Sequence, residues 1–480
     1  MSYEPVIGIE VHVELATASK VYCGCAVTFG AAPNSQVCPV CLGMPGTLPV
    51  INRRAVEFAI RAALALNCTI QRETKFDRKQ YHYPDLPKGY QISQYDQPIG
   101  RDGWLEIDTP NGSKRIGIRR VHLEEDTGKL AHQDDGSSLI DFNRAGVPLI
   151  EIVSEPDIRS AEEARAYAMK LRTILKYTGV SDVRMAEGSM RCELNLSLRP
   201  AGSETFGTLV EVKNIGSFRG LFRAAEFEIA RQTALLTSGQ AVVRETRGWD
   251  ESKGETVSQR SKEEAQDYRY FPEPDLVPLT IDPAWVEEIR GQLPELPDAK
   301  RARLVSANGL SDIDAARIVN SQGLSVFYDR AVAAGADAKA VANWVTGELT
   351  RLLNADGVDV EEVGVEDLKL KPESLADMFN LMNKGTISSK IAKTVFEEMY
   401  RSGKAPEQVV REQGLVQMSN EDELLTIAAQ VVADNPKPVA DYRGGKVAVI
   451  GFLVGQMMKA TRGRANPELA ARLLKHVLDK

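Results

Sequence analysis

Residues 5–15 alternate without interruption. Ile7, Ile9, Val11 and Val13 fall on one parity, and Gly8, Glu10, His12 and Glu14 on the other. Side chains of a strand point to opposite faces at every second residue, so this segment is a half-buried strand with an apolar face and an acidic face. Residues 190–198 repeat the pattern, with Cys192, Leu194, Leu196 and Leu198 opposed to Arg191, Glu193, Asn195 and Ser197. Further strands are expected at 115–125, 147–153 and 208–214. Two helices are expected in the same region. One is capped by Ser160 with Glu163 in a capping-box pattern and stops at Gly179; the other starts near Ser217 and ends before Gly239.

The pattern changes near residue 293. Helical periodicity then dominates, with helices expected near 298–307, 311–319, 325–334, 338–353, 372–383 and 388–401. After a linker at Gly403-Lys-Ala-Pro406 they continue near 406–413, 420–433, 445–459 and 466–478. Pro436 and Pro438 are expected to break one turn, and Thr461-Arg-Gly-Arg-Ala-Asn-Pro467 another. The chain of 480 residues is too long for one ordinary core. The pattern predicts an α+β fold in three parts: 1–292, 293–405 and 406–480. The first residues have neither a basic segment nor an apolar core of a secretory signal, and no run of about 18 apolar residues occurs. Both absences point to a cytoplasmic protein without membrane contact.

Four of the six cysteines lie within 19 residues as Cys23-x-Cys25 and Cys38-x-x-Cys41. Two close thiolate pairs close a tetrahedral zinc site with no open position for chemistry. The alternative is four reduced, unliganded thiols. Cys68 and Cys192 read as buried small apolar residues.

Acids also interrupt apolar strands elsewhere: Glu124, Glu125 and Asp126 end one, Glu151 sits inside another and Glu211 inside a third. If these strands share a sheet, Glu10, His12, Glu125, Glu151, Glu193 and Glu211 gather on one face around hard cations. Mg²⁺ suits carboxylates and nucleotide phosphates, and a histidine ligand leaves Mn²⁺ open. Solvated acids or structural salt bridges are the plainer alternative. Glu14, Glu124, Asp126 and Glu155 read as surface or supporting groups. The loop 79–95 carries Lys79 and Lys88 among aromatics and prolines. It suits a phosphate or an RNA end, or else is a rigid surface loop. His82, His122 and His132 read as structural histidines. No Walker A, Gly-x-Gly-x-x-Gly or Gly-x-Ser-x-Gly pattern occurs, so an ATP site here is not of the P-loop, Rossmann or protein-kinase type. Net charge is −8, yet residues 443–480 carry eight Lys/Arg against two acids, a local +6 suited to nucleic acid.

Nine runs in order resemble the GatB family: 6–15, 38–49, 83–95, 122–129, 143–156, 187–192, 211–214, 267–275 and 451–463. The resemblance implies a mainly antiparallel cradle domain, a helical domain and a YqeY-like tail that touches the outer corner of tRNA. It implies a heterotrimer with a GatA-like amidase subunit and a GatC-like small subunit. The implied activity is ATP-dependent phosphorylation and amidation of the side-chain carboxylate of Glu-tRNA(Gln) or Asp-tRNA(Asn), with ammonia from the amidase. The family's Mg²⁺ positions carry over to His12, Glu125 and Glu151, with Glu10 close by. Lys79, Lys88, Glu193 and Glu211 are expected to serve ATP, and the cysteine quartet matches zinc-binding members. Two departures stand out: Glu193 where the family usually has Asp, and His82 where an aromatic is common. No amidase Ser-Ser-Lys signature or Cys-His triad is present, so ammonia must come from a partner. The rivals are a non-catalytic zinc-containing tRNA-binding scaffold and a stand-alone ligase acting on free glutamate.

Overall fold

The computed structural model describes every residue except 1, 134, 262–267, 417, 419, 462 and 480. Asp267 of the run 267–275, and Arg462 and Lys480 of the basic tail, lie outside the described residues. The chain divides into two compact units, Met1–Leu296 and Pro297–Lys480.

The first unit is built on a nine-stranded sheet. Its strands in chain order are β1 (Tyr3–Glu14), β2 (Thr69–Ile70), β3 (Gly100–Thr109), β4 (Gly112–Glu125), β5 (Pro148–Ser154), β6 (Met190–Pro200), β7 (Val210–Ile215), β8 (Glu245–Asp250) and β9 (Glu255–Ser261). They lie in the order β9-β8-β7-β6-β1-β5-β4-β3-β2. Every pairing is antiparallel except β7 with β8. The alternating segment at the N-terminus is thus a central strand, flanked by β5 and β6.

One sheet face carries the core. Ile7, Ile9, Val11 and Val13 of β1 join Val121 and Leu123 of β4, Ile150 and Ile152 of β5, and Leu194 and Leu196 of β6, each no more than 1% exposed. Four helices contribute to this core: α1 (Arg53–Ala65), α2 (Ala161–Thr178), α3 (Phe218–Thr237) and α4 (Pro283–Gly291). The Ser160 hydroxyl accepts from the Glu163 N–H, and Gly179 ends α2 at φ +69°, the left-handed conformation that favours glycine. Ser217 caps α3 by accepting from the Gly220 N–H. Helix α1 and strands β3, β8 and β9 were not expected from the sequence. The signal for α1 is Asn52, whose side chain accepts from the Arg54 N–H ahead of an alanine-rich run.

The second unit is helical. Pro436 begins a helix, Pro436–Arg443, instead of breaking one. At the first helical position the missing N–H would have been unpaired anyway. The expected helix 338–353 contains a π-helical turn at Trp344–Leu349 between α-helical segments Ala338–Asn343 and Thr350–Ala355. Leu424, Leu453, Met457 and Leu474 anchor a separate apolar cluster formed within the tail. Among the described residues no helix is long and apolar enough to cross a membrane.

Leu194 is fully buried in β6. Leu194→Ala is expected to cost about 2–5 kcal/mol, measured as an earlier unfolding transition in urea. An unchanged transition would show that this sheet face does not hold the core.

Candidate functional site

The face of the sheet opposite the helices is ionic. Strand alternation sends Glu10 and His12 of β1, His122 and Glu124 of β4, Glu151 of β5, Glu193 of β6 and Glu211 of β7 into one cavity of about 650 Å³. The register makes them neighbours: His12 lies opposite Glu151, Glu151 opposite His122, and Glu10 opposite Glu193.

The acids form two groups. In the first, His12 Nε2 lies 3.7 Å from Glu151 Oε2 and 3.8 Å from Glu124 Oε1. In the second, Glu10, Glu193 and Glu211 converge. Within each group the ligand atoms lie within 4.8 Å of one another, a spacing one divalent ion can bridge.

Neighbouring cations hold these charges in place. His122 is buried, with Nε2 at 3.2 Å from Glu151 and 3.5 Å from Glu124. Burial alone would lower its pKa, but the two carboxylates outweigh it and raise it to about 9. Burial opposes ionisation of Glu151, yet His122, His12 and Lys79 hold its carboxyl well below the usual range. Burial and the charges of Glu151 and Glu193 push Glu10 upward. Lys213 Nζ lies 2.7 Å from Glu193 and 3.2 Å from Glu211. Asn195 donates to Glu10 at 2.9 Å, and the Thr246 hydroxyl donates to Glu211 at 2.7 Å.

One wall of the cavity is aromatic. Lys79 Nζ sits 5.1 Å above the Tyr268 ring and 5.9 Å from that of Tyr81, and Tyr270 stacks on Tyr95 with centroids 4.3 Å apart. Burial would lower the Lys79 pKa, but Glu124 leads the charges that raise it. The ammonium remains charged, beside the carboxylates and among rings.

The sequence expectations for Glu125, Lys88 and Glu124 are corrected here. Glu125 does not join His12 and Glu151. It shares the parity of Val121 and Leu123, so it leaves the strand on the opposite side, and Glu124 takes the third position. The Glu125 carboxylate accepts from Lys88 Nζ at 2.5 Å and from the Ile92 N–H at 2.9 Å. Lys88 is accordingly held by Glu125 and lines a second cavity, of about 180 Å³, with Lys20, Tyr22 and Cys41. Glu124, expected to be a surface or supporting group, is 2% exposed and lies within the first acid group. His122, expected to be structural, is the cation between its two carboxylates. Glu155 is a surface group, paired with Arg119.

The four clustered cysteines converge, with sulfur atoms within 4.8 Å of one another. A zinc–sulfur bond of about 2.3 Å requires sulfur separations of about 3.8 Å in a tetrahedron, so the quartet fits this ion. The Cys38 N–H donates to Cys41 Sγ at 3.1 Å, and Lys20 Nζ lies 3.6 Å from the same sulfur. Contact with Cys23, reinforced by Lys20 against the effect of burial, pulls the Cys41 thiol down to about 4. The same contact pushes the Cys23 thiol up, so the two sulfurs share a proton and the favoured thiolate belongs to the pair. Cys68 and Cys192 are buried, and burial pushes both thiols up to about 12.

Comparison with known proteins accounts for nearly the whole chain. Residues 5–287 match the GatB/GatE catalytic domain and residues 326–478 the GatB domain. Three relatives carry the name of the B subunit of aspartyl/glutamyl-tRNA(Asn/Gln) amidotransferase. That of Carboxydothermus hydrogenoformans is 56% identical over 100% of this chain and 99% of the relative. That of Moorella thermoacetica is 57% identical over 100% of both. That of Brevibacillus brevis is 55% identical over 99% of both. Family match and full-length identity agree with the two-unit architecture, and the chain belongs to the GatB family.

Proposed function

We propose that this chain is the B subunit of a cytoplasmic, glutamine-dependent tRNA amidotransferase, a carbon–nitrogen ligase that converts Glu-tRNA(Gln), Asp-tRNA(Asn) or both to the amide. The observation that carries the reading is the pair of carboxylate groups facing Lys79 across one cavity. Such a cavity suits a nucleotide triphosphate accompanied by divalent ions. The names of the full-length relatives support the same reading.

A carboxylate does not acylate ammonia at a useful rate, because its leaving group would be oxide. Phosphorylation removes that obstacle. A carboxylate oxygen attacks the γ-phosphorus of ATP; the new P–O bond forms as the bond to the β-phosphate oxygen breaks, and ADP leaves with that electron pair. Ammonia then attacks the acyl phosphate and expels inorganic phosphate. His12, Glu124 and Glu151 would hold Mg²⁺, with Glu10, Glu193 and Glu211 as a second cation group. Bound there, Mg²⁺ supplies charge neutralisation of the phosphates. Lys79 presents its ammonium to phosphate oxygens, and the surrounding rings keep it from bulk water.

The nucleophile must be neutral NH₃, so a proton has to leave ammonium first. We assign that acceptor role to Glu125, on the far side of β4, where Lys88 holds its carboxylate. The ammonia would come from a GatA-like amidase subunit, with a GatC-like small subunit completing the heterotrimer. The domain division at 292 and 405 belongs to this proposal. The tail presents exposed Arg443, Lys446, Lys459, Arg472 and Lys475 on its own apolar cluster, a surface suited to tRNA phosphates. Zn²⁺ on Cys23, Cys25, Cys38 and Cys41 would brace the wall of the smaller cavity, which Cys23 and Cys41 line.

Glu151→Gln and Glu124→Gln in the assembled complex are each expected to lower ADP formation on misacylated tRNA by about 100-fold or more. Rates near wild type in both would leave only the tRNA-holding scaffold. Glu125→Gln is expected to abolish amide formation while glutamine hydrolysis by the partner stays measurable; unchanged transamidation refutes the proton-acceptor role. Metal analysis of the purified chain should find close to one zinc per polypeptide, with Cys38→Ser lowering that content. No zinc, with all six thiols freely titratable, would remove the site.

A further inference from the structure

Five basic side chains line the acid cavity: Lys79, Arg120, Arg191, Lys213 and Arg244. Two are engaged by acids. Arg191 donates to Asp126 at 2.9 Å, and Lys213 bridges Glu193 and Glu211. Among the described residues no carboxylate lies within ion-pair distance of Lys79, Arg120 or Arg244, and of these three Arg120 alone has a side-chain nitrogen, its Nε, shielded from solvent without a hydrogen-bond partner. A buried donor left unpaired costs about 1–3 kcal/mol, and a charged one more.

The backbone goes out of its way to bring Arg120 here. Between β4 and β5 the register shifts by one residue, Val153 opposing Arg120 but Ser154 opposing Ile118. Ile116 and Ile118 are buried in the core, so unbroken alternation would send Arg120 there as well. The bulge inserts Arg119 and reverses the parity. Val121 and Leu123 then take the core positions, and Arg120 joins His122 and Glu124 at the cavity. Arg119 is consumed by Glu155, donating to its two oxygens at 3.1 and 2.8 Å. Bulges recur beside active sites because they re-aim a side chain in this way.

We infer that Arg120 is an anion-binding residue for the phosphoryl group in transit between ATP and the substrate carboxylate, an inference that rests on the cavity being the phosphoryl-transfer site. In that transfer, charge spreads over the three equatorial oxygens of the moving group. A planar guanidinium offers paired N–H donors that match two of them, which a lysine ammonium cannot do. Arg120 neither gains nor loses a proton; it supplies hydrogen bonds and positive charge to oxygens whose negative charge the nearby carboxylates would otherwise repel. Its partnerless Nε acquires an acceptor only when that group is present.

The test uses the assembled complex, misacylated tRNA and ATP, with ADP formation followed at varied concentrations of each substrate. Arg120→Ala is expected to lower kcat by about 100-fold or more, with KM for the aminoacyl-tRNA within about threefold of wild type. Arg120→Lys should recover only a small part, whereas free guanidinium ion added to Arg120→Ala should recover at least tenfold of the lost rate. Arg119→Gln, outside the cavity, should stay within about twofold of wild type. A rate for Arg120→Ala within twofold of wild type overturns the inference, as does a loss that guanidinium does not rescue. A raised KM for aminoacyl-tRNA with kcat retained also overturns it and gives Arg120 to the substrate's carboxylate. Glu151→Gln run in parallel separates the two readings: if it forms ADP normally, the cavity itself is misassigned, whatever Arg120 does.

Discussion

Like charges crowded on one face of a sheet repel, and the N-terminal unit depends on how that repulsion is contained. Glu10, Glu124, Asp126, Glu151, Glu193 and Glu211 all line one cavity. A solvated strand face would leave them apart and in water. Here Glu124 and Glu151 are buried, so each needs a counter-charge at close range. His122 serves both, Lys213 serves Glu193 and Glu211, and Arg191 serves Asp126. Lys79 and Arg120 line the same cavity without direct ion pairs among the described residues. Positive and negative groups are thus present together but only partly paired, the condition for a site that takes both a cation and an oxyanion.

Most of this was legible because a strand has a period of two. The alternation in residues 5–15 identified a central strand and put Glu10 and His12 on its open face before any fold was known. The same rule, applied to Val121-His-Leu-Glu-Glu-Asp126, selects Glu124 over Glu125, since only Glu124 shares a face with His122. The expectation for Glu125 came from the run of acids that ends this strand and was strengthened by the family's metal positions, and the structure corrects it by one residue. Lys88 followed Glu125 to the other cavity for the same reason. Arg120 was not legible at all: a bulge breaks the period, and nothing in residues 116–121 announces where the extra residue is inserted. The aromatic wall was half visible, as a loop rich in tyrosine, but the pairing of Tyr95 with Tyr270 joins segments far apart in sequence.

Helix ends were readable where capping chemistry is local. Ser160, Ser217 and Gly179 do what their side chains, or lack of one, allow. Pro436 misled because proline has two meanings, excluded from a helix interior and favoured at its first turn. The cysteine quartet was readable from spacing, since close pairs on two turns need only one fold contact to meet. Its supporting group, Lys20, is fully buried and gave no sign of that in the sequence.

The direct measurement is the position of a divalent ion. Crystals of the assembled complex loaded with Mn²⁺ would give an anomalous signal that locates it without assumption. The account predicts a peak bounded by His12, Glu124 and Glu151, with Glu125 still paired to Lys88. A peak at Glu125 on the far side of the strand, or none anywhere on the acidic face, would contradict it.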